Sequence, residues 1–148
     1  MTWYFDSHIH LSDPEYAHDM EFLLKQMEFL KIKACCVSMD YNNSLQTLEL
    51  AKKSNLVLPF IGIHPECANE DIENISKLIE DNHDHISGIG EIGLDPTYVN
   101  KNEDVKKQTH VFETLLSFAE KFNKPVSIHS RKSLDDVFEI MTSYDTQH

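Results

Sequence analysis

Five short apolar runs alternate along this chain with segments whose apolar residues recur at helical spacing. The runs have the length of β-strands and cover residues 3–10, 33–38, 57–63, 86–92 and 125–129. The periodic segments predict helices near residues 20–30, 45–51, 69–81, 103–122 and 134–141. Continuous apolarity, as in the second run, is typical of parallel strands buried on both faces. The alternation therefore predicts an α/β fold with a parallel sheet and right-handed crossovers.

Local signals predict where two of the helices begin. Ser12 is followed by Pro14 and Glu15, a combination that offers an N-cap, a first-turn proline and an acidic first turn. Residues 42–44, Asn-Asn-Ser, offer a cap for the second helix. Pro59 falls inside the third run and argues against a regular strand there, because proline donates no hydrogen bond to a ladder.

The acidic balance of the chain limits its partners. The 148 residues include 25 acidic and 13 basic side chains and carry a net charge of −12. A broad basic surface for duplex nucleic acid is therefore not expected. A nucleic-acid enzyme is still compatible with this charge, because bound divalent metals can hold a phosphate locally.

The sequence also predicts a cytoplasmic protein without membrane contact. We find no pattern of a signal peptide, and no stretch approaches the ~20 apolar residues of a membrane span. Cys35 and Cys36 are adjacent within an apolar run. Such residues are expected to pack as thiols and not to form a disulfide, which suits a reducing compartment.

Two histidines end the first run in the pattern His8-x-His10. Residues i and i+2 of an extended strand point to the same face, so the two imidazoles project together. Two imidazoles on one face can bind one divalent metal. The pair therefore predicts a metal site at the end of the first strand.

Chemically active side chains follow or end every strand-like run. The carboxyl ends of parallel strands meet at one edge, which is where parallel α/β sheets and barrels place their active sites. We expect these residues near one another: His8, His10, Asp40, His64, Glu66, Glu91, Asp95, His129 and Arg131.

Residues 88–93, Gly-Ile-Gly-Glu-Ile-Gly, match the dinucleotide fingerprint G-x-G-x-x-G letter by letter. The fingerprint needs its glycines between a strand and a helix whose N-terminus faces the pyrophosphate. Here the glycines fall within a predicted strand, and Leu94-Asp95-Pro96 follows in place of a helix start. We therefore predict that these glycines allow close packing while Glu91 points into the site.

Four successive segments resemble the motifs of TatD-like DNases. They are residues 6–11 (Asp-Ser-His-Ile-His-Leu), 62–66 (Gly-Ile-His-Pro-Glu), 90–95 (Gly-Glu-Ile-Gly-Leu-Asp) and 125–131 (Pro-Val-Ser-Ile-His-Ser-Arg). That family consists of metal-dependent hydrolases of the amidohydrolase superfamily. The resemblance implies a (β/α) TIM-type barrel that cleaves phosphodiester bonds in DNA with two divalent metals, Zn, Mg or Mn.

The same resemblance implies roles for individual residues. His8, His10 and Glu91 would hold one metal, and Glu91 would bridge to a second metal bound by His129. Glu91, His64 and Arg131 are the residues implied in catalysis, the last two because they place the substrate. Short or single-stranded DNA ends are the expected substrate, because the acidic surface leaves binding to the site itself.

The chain departs from the family's pattern after His129. The pattern continues with a histidine after a sixth strand and an aspartate after an eighth; Asp145 and His148 lie beyond the last predicted helix and do not match them. A full barrel needs roughly 250 residues, so residues 1–148 are predicted as one domain, the N-terminal part of a truncated barrel with about five of eight units.

Five strands cannot close a barrel and would leave the first and fifth strands as open edges. A truncated or split gene product, self-association, a complementing C-terminal fragment or a flattened open sheet would each account for such a chain.

Three functions are compatible with the sequence. The first is a TatD-type metal-dependent deoxyribonuclease. The second is an amidohydrolase-like enzyme that cleaves a C–N or ester bond, and the third is a non-catalytic remnant that binds metal or a partner chain. Glu91 favours the first, because many such amidohydrolases bridge their metals with a carboxylated lysine and no lysine lies near Glu91. The unmatched late ligands favour the third.

Overall fold

The computed structural model describes residues 2–99 and 102–144. Within them, five β-strands alternate with five α-helices, as the sequence predicts. In chain order they are β1 (Tyr4–Ile9), α1 (Met20–Leu30), β2 (Ile32–Val37), α2 (Tyr41–Lys53), β3 (Val57–Ile61), α3 (Ile72–Asn82), β4 (Gly88–Leu94), α4 (Asn102–Phe122), β5 (Val126–Ser130) and α5 (Leu134–Met141). Asp145 and His148 lie outside the described residues. No helix in the described ranges is long and apolar enough to cross a membrane.

The strands form one parallel sheet in the order β1-β2-β3-β4-β5. The sheet curls strongly. His8 on β1 and Ser127 on β5 belong to its two edge strands, yet Nδ1 of the first lies 3.1 Å from Oγ of the second. The predicted parallel α/β fold is confirmed, and its five strands form part of a barrel.

The main hydrophobic core lies between the central strands and helices α3 and α4. Every residue of β4 is buried. The same core includes Ile75 and Ile79 of α3 and Phe112 and Leu115 of α4, all 0% exposed. Because apolar burial is the dominant favourable term in folding, this region stabilises the chain most.

Glycines let β4 approach both of its neighbours closely. A Cβ on Gly62 would lie 2.7 Å from the carbonyl carbon of Gly90, and the peptide bond that follows Gly90 is cis. Gly93 has a φ of 145°, and a Cβ there would collide with the carbonyl oxygen of His129. The G-x-G-x-x-G string therefore belongs to a tightly packed strand, as predicted, and not to a nucleotide-binding loop.

The first helix covers the predicted residues, but the predicted cap belongs to a separate turn before it. Asp13, and not Ser12, acts as a cap, and it caps a 3₁₀ turn at Pro14–Tyr16. Its Oδ1 accepts a hydrogen bond of 2.9 Å from the backbone N–H of Glu15. This local bond completes a separate turn, and α1 starts only at Met20.

The second helix begins earlier than predicted. Asp40 caps it, because its Oδ1 accepts a hydrogen bond of 2.7 Å from the backbone N–H of Asn43. Residues 42–44 therefore lie in the first turn and do not cap it. Pro59 lies within β3, one residue before the register pairs with β4 begin, so its missing N–H falls outside that ladder.

Candidate metal centre

The four side chains predicted as metal ligands lie together at the carboxyl end of the sheet. Nε2 of His8 and Nε2 of His10 are each 3.3 Å from Oε2 of Glu91. Nδ1 of His129 is 3.1 Å from the other carboxylate oxygen, Oε1. The curl of the sheet produces this convergence, because it brings both edge strands to a carboxylate on β4.

Glu91 is the centre of the cluster, with only 6% of its surface exposed. Its backbone N–H donates a hydrogen bond of 2.9 Å to the carbonyl oxygen of Ser38. Burial raises the pKa of the Glu91 carboxyl, but hydrogen bonds and charges from the surrounding histidines, His10 foremost, outweigh burial and lower the pKa to about 2. Glu91 is therefore an anion at neutral pH, with both oxygens available as acceptors.

The contacts of His10 determine which of its ring nitrogens carries the proton. Nδ1 lies 3.1 Å from the carbonyl oxygen of Val37, which can only accept, so Nδ1–H donates to it. In the neutral ring, Nε2 then presents a lone pair to Glu91. The hydrogen bond with Glu91 raises the pKa of His10 and outweighs burial, which lowers it. A proton or another cation between the two groups is thus favoured.

The ring of His129 is also oriented by a hydrogen-bond acceptor, the carboxylate of Asp95. Its Nε2 lies 3.0 Å from Oδ2 of Asp95, which is 0% exposed. Burial raises the pKa of Asp95, but hydrogen bonds from the hydroxyl and backbone N–H of Thr97 and from His129 lower it below its ordinary value. Asp95 is thus a carboxylate that accepts the Nε2 proton, so the neutral His129 ring directs the lone pair of Nδ1 toward Glu91.

His64 lies beside this pair and is 5% exposed. Its Nδ1 accepts a hydrogen bond of 3.2 Å from the backbone N–H of Glu66. Burial lowers the pKa of His64, which favours the neutral ring with its proton on Nε2. Nε2 lies 3.0 Å from Nδ1 of His129. His64 therefore presents a hydrogen-bond donor to the cluster.

The donor set fits divalent metal ions. Among the described residues, two of the three groups whose possible ligand atoms lie within 4.8 Å of one another belong to this cluster: His8, His10 and Glu91, and His64, Glu91 and His129. The lone pair of neutral His10 faces a carboxylate oxygen of Glu91, which is repulsive unless a cation lies between them, whereas Nδ1 of His129 faces both Glu91 and the Nε2–H of His64. Imidazole and carboxylate bind Zn and other divalent metals, and the carbonyl and carboxylate behind the rings orient them as in known metal sites.

Three other strand-end residues lie outside this cluster. Arg131 is exposed, and its side chain forms no hydrogen bond or ion pair with the described residues. Asp40 is occupied as the cap of α2, and Glu66 is exposed and contributes only its backbone N–H to His64. The position of Arg131 leaves its guanidinium free for a ligand.

Two residues of the surrounding structure are not predicted from the sequence. Ser127 holds Nδ1 of His8 through its hydroxyl, and it precedes His129 by two residues, so it lies on the same face of β5. That spacing is a signal that could have identified it. Gln108 on α4 hydrogen-bonds the backbone of Asp95, and no local pattern marks it.

Sequence comparison identifies the family. The model of the TatD-related DNases matches residues 5–148, and the chain belongs to this family. The chain is 32% identical over 140 residues to an uncharacterized metal-dependent hydrolase of Methanocaldococcus jannaschii, covering 93% of this chain and 54% of that protein. It is 27% identical over 142 residues to the human deoxyribonuclease TATDN3, covering 86% of this chain and 52% of that protein. The chain thus spans about half the length of these relatives.

Solved structures agree on the fold. The TatD homologue YjjV of Escherichia coli matches with a TM-score of 0.81 at 22% identity, covering 95% of this chain and 55% of that one. A TatD-family hydrolase of Entamoeba histolytica also matches with a TM-score of 0.81 at 22% identity, covering 96% of this chain and 54% of that one. The predicted family and the predicted partial barrel are therefore confirmed.

Proposed function

We propose that His8, His10 and Glu91 hold one divalent metal, that Glu91 bridges to a second, and that His129 binds this second ion. The strongest support is the division of the Glu91 carboxylate. Its Oε2 faces the two histidines of β1, whereas its Oε1 faces His129. A carboxylate that bridges two ions needs this division. Zn, Mg and Mn are the proposed metals.

We propose that the reaction is hydrolysis of phosphodiester bonds in DNA. The family description and the human relative named as a deoxyribonuclease support this substrate. The net charge of −12 supports short or single-stranded ends over long duplex, because it disfavours a broad contact with phosphates. Divalent metals bound at this centre would supply a water of lowered pKa and neutralise charge on the phosphate.

His64 and Arg131 are proposed to place the substrate. Nε2–H of His64 faces Nδ1 of His129, and once a metal occupied that lone pair it would be free to donate a hydrogen bond to a phosphate oxygen. With its proton on Nε2, His64 directs no lone pair at the cluster, whereas Nδ1 of His129 lies 3.1 Å from Glu91. Arg131 lies two residues beyond His129 at the exit of β5, where its exposed guanidinium can pair with a phosphate bidentately.

We further propose that residues 1–148 form one domain, the N-terminal part of a barrel completed by further β/α units of the same protein or of a separate chain. The chain spans about half the length of its relatives. Large apolar side chains are exposed near the two edges of the sheet: Tyr4, Phe5, Leu134 and Phe138. The free cysteines Cys35, Cys36 and Cys67 support the proposed cytoplasmic location.

Metal content and DNA cleavage test this function. The purified chain, supplied with Zn, Mg or Mn in turn, is expected to bind about two equivalents. Glu91→Gln is expected to bind neither metal equivalent. Glu66→Gln, which changes an exposed carboxylate nearby, is expected to bind metal as wild type does. Cleavage of a short single-stranded oligonucleotide should depend on Glu91 and stop on addition of a chelator.

The outcomes separate the alternatives. A folded sample that binds no metal contradicts the proposed centre. Metal binding without any cleavage contradicts nuclease activity of this chain and favours the metal- or partner-binding remnant. Metal-dependent cleavage of an amide or ester, but not of DNA, favours the hypothesis of an amidohydrolase-like enzyme.

A further inference from the structure

Gln108 on α4 is a buried polar residue whose side-chain hydrogen bonds go to the loops around the proposed metal centre. It is 2% exposed. Its Oε1 accepts a hydrogen bond of 3.0 Å from the backbone N–H of Asp95. Its Nε2 donates to the carbonyl oxygen of Asp95 at 2.9 Å and to that of Pro65 at 3.1 Å. One acceptor and both protons of the carboxamide are thus used.

These contacts allow only one orientation of the carboxamide. A flipped amide would set its NH₂ group against the N–H of Asp95 and its oxygen against two carbonyl oxygens. The side chain is therefore specific for the backbone groups of Asp95 and Pro65. An apolar side chain of the same volume cannot make these hydrogen bonds. The residues it holds are direct neighbours of the cluster, since Pro65 follows His64 and Asp95 binds His129.

The sheet itself does not hold these two exits together. Within the described residues, the register pairs between β3 and β4 are Phe60 with Gly88 and Ile61 with Ile89, and none follows. β4 continues beyond this point to Leu94. The exits of the two strands thus lack a ladder, and beyond the backbone bridge of Ser38 to Phe60 and Gly90 the carboxamide of Gln108 hydrogen-bonds both exits.

We propose that Gln108 is a positioning residue for the metal centre. Its carboxamide sets the separation between the β3 exit, which carries His64, and the β4 exit, which carries Asp95 and through it orients His129. This role rests on the proposed function, because its consequence is a second metal position with the correct ring nitrogen of His129 directed at Glu91.

The structure indicates what the loss of this carboxamide does. Removal of the amide leaves the N–H and carbonyl of Asp95 and the carbonyl of Pro65 without this partner in a buried region. The β4 exit can then move, and the Asp95 carboxylate no longer faces Nε2 of His129. Without that acceptor, the His129 proton is free to occupy Nδ1, which would block the nitrogen proposed to bind metal.

The test compares Gln108→Met, which keeps the volume but removes all three hydrogen bonds, with Leu115→Ala. Leu115 lies on the same helix, is 0% exposed and has no hydrogen-bonding group in its side chain, so its truncation destabilises α4 while the carboxamide of Gln108 is kept. Co²⁺ is titrated into the wild-type chain of residues 1–148 and into each variant, and binding is followed by visible absorption. Thermal unfolding is recorded for each variant, and Gln108→Asn replaces Gln108→Met if the latter does not fold.

We expect Gln108→Met to weaken Co²⁺ binding at one of the two positions by about 10–100-fold, the range for outer partners of metal ligands. Leu115→Ala should lower the melting temperature and leave the affinity unchanged. Equal affinities in Gln108→Met and wild type, or losses that follow stability in both variants, would overturn the proposal.

A second readout is independent of metal. ¹⁵N chemical shifts of the His129 ring in the metal-free protein, at about pH 8 where histidine is ordinarily neutral, report which nitrogen carries the proton. Wild type should show the proton on Nε2, and Gln108→Met a shift toward Nδ1. If wild type binds no Co²⁺, the proposed function fails, and the ring shifts alone decide whether Gln108 positions His129.

Discussion

β4 and β1 contribute to the same centre from opposite surroundings. Every residue of β4 is buried, whereas five of the six residues of β1 are exposed. Glu91 is therefore held by packing on both faces of its strand. His8, with 41% of its side chain exposed, is held mainly by the carboxylate itself and by Ser127. The carboxylate proposed to bridge two metals thus lies in the core, whereas His8 lies at the exposed edge of the site.

The largest expected effect is a difference in stability loss between a substitution in the core and one at the edge of the sheet. Phe112→Ala removes a side chain that is 0% exposed in the main core and should lower the free energy of unfolding by about 3–5 kcal/mol. Phe138→Ala changes a side chain that is 68% exposed and should stay within about 0.5 kcal/mol. Urea denaturation of both variants measures the difference. Similar losses would mean that α5 is packed in solution against a surface that the chain alone does not provide.

In the metal-free chain, pH is expected to change the free energy of unfolding by a comparable amount. Because the pKa of Glu91 falls from 4.5 to about 2 on folding, its contribution is present above pH 4.5 and is lost as pH falls toward about 2. This contribution is at most about 3 kcal/mol. The raised pKa of His10 has the opposite sign: its contribution is present below pH 6.5 and is lost as pH rises through the folded value.

The free energy of unfolding, measured against pH in the presence of a chelator, should therefore be highest between about pH 4.5 and 6.5. Glu91→Gln removes the carboxylate from which both contributions arise and should flatten this maximum. A maximum that persists in this variant would assign the pH dependence to other groups.

A smaller effect is expected from the contact between Asp95 and the ring of His129. Asp95→Asn replaces the carboxylate that accepts the Nε2 proton of His129 and should weaken binding of one metal by about 10–100-fold. Calorimetric titration with Zn²⁺ measures this loss. Asp135→Asn, an exposed carboxylate in the first turn of α5, is the matched control and should bind as wild type does. Unchanged affinity in Asp95→Asn would show that packing alone orients His129.

The smallest effect is expected at an exposed ion pair near the edge. Lys25 and Glu21 lie 2.7 Å apart on α1, with side chains 70% and 86% exposed. Lys25→Met should change the free energy of unfolding by no more than about 0.5 kcal/mol, because solvent screens such pairs. Chemical denaturation at low and high salt checks this. A loss comparable to that of Phe112→Ala would contradict the division between core and edge.

The strands and helices were predictable because their signals are local. Alternating apolar runs and helical spacing identify each element, and buried-type runs such as β4 indicate a parallel sheet. The helix starts were less predictable, because several neighbouring side chains can cap. Asp13 and Asp40 act as caps where Ser12 and residues 42–44 also offered the chemistry.

The sequence by itself determined the order of the elements and the set of candidate ligands at the strand ends, since both follow from spacing along the chain. Only the tertiary structure decided how those ligands meet. The contact of His8 with Ser127 joins residues 119 apart, and the curl that creates it is a property of the whole sheet. The orientation of the His10 and His129 rings also depends on distant partners. The same is true of the hydrogen bond that Gln108 donates to Pro65. Such contacts leave no local periodicity, because packing between elements creates them.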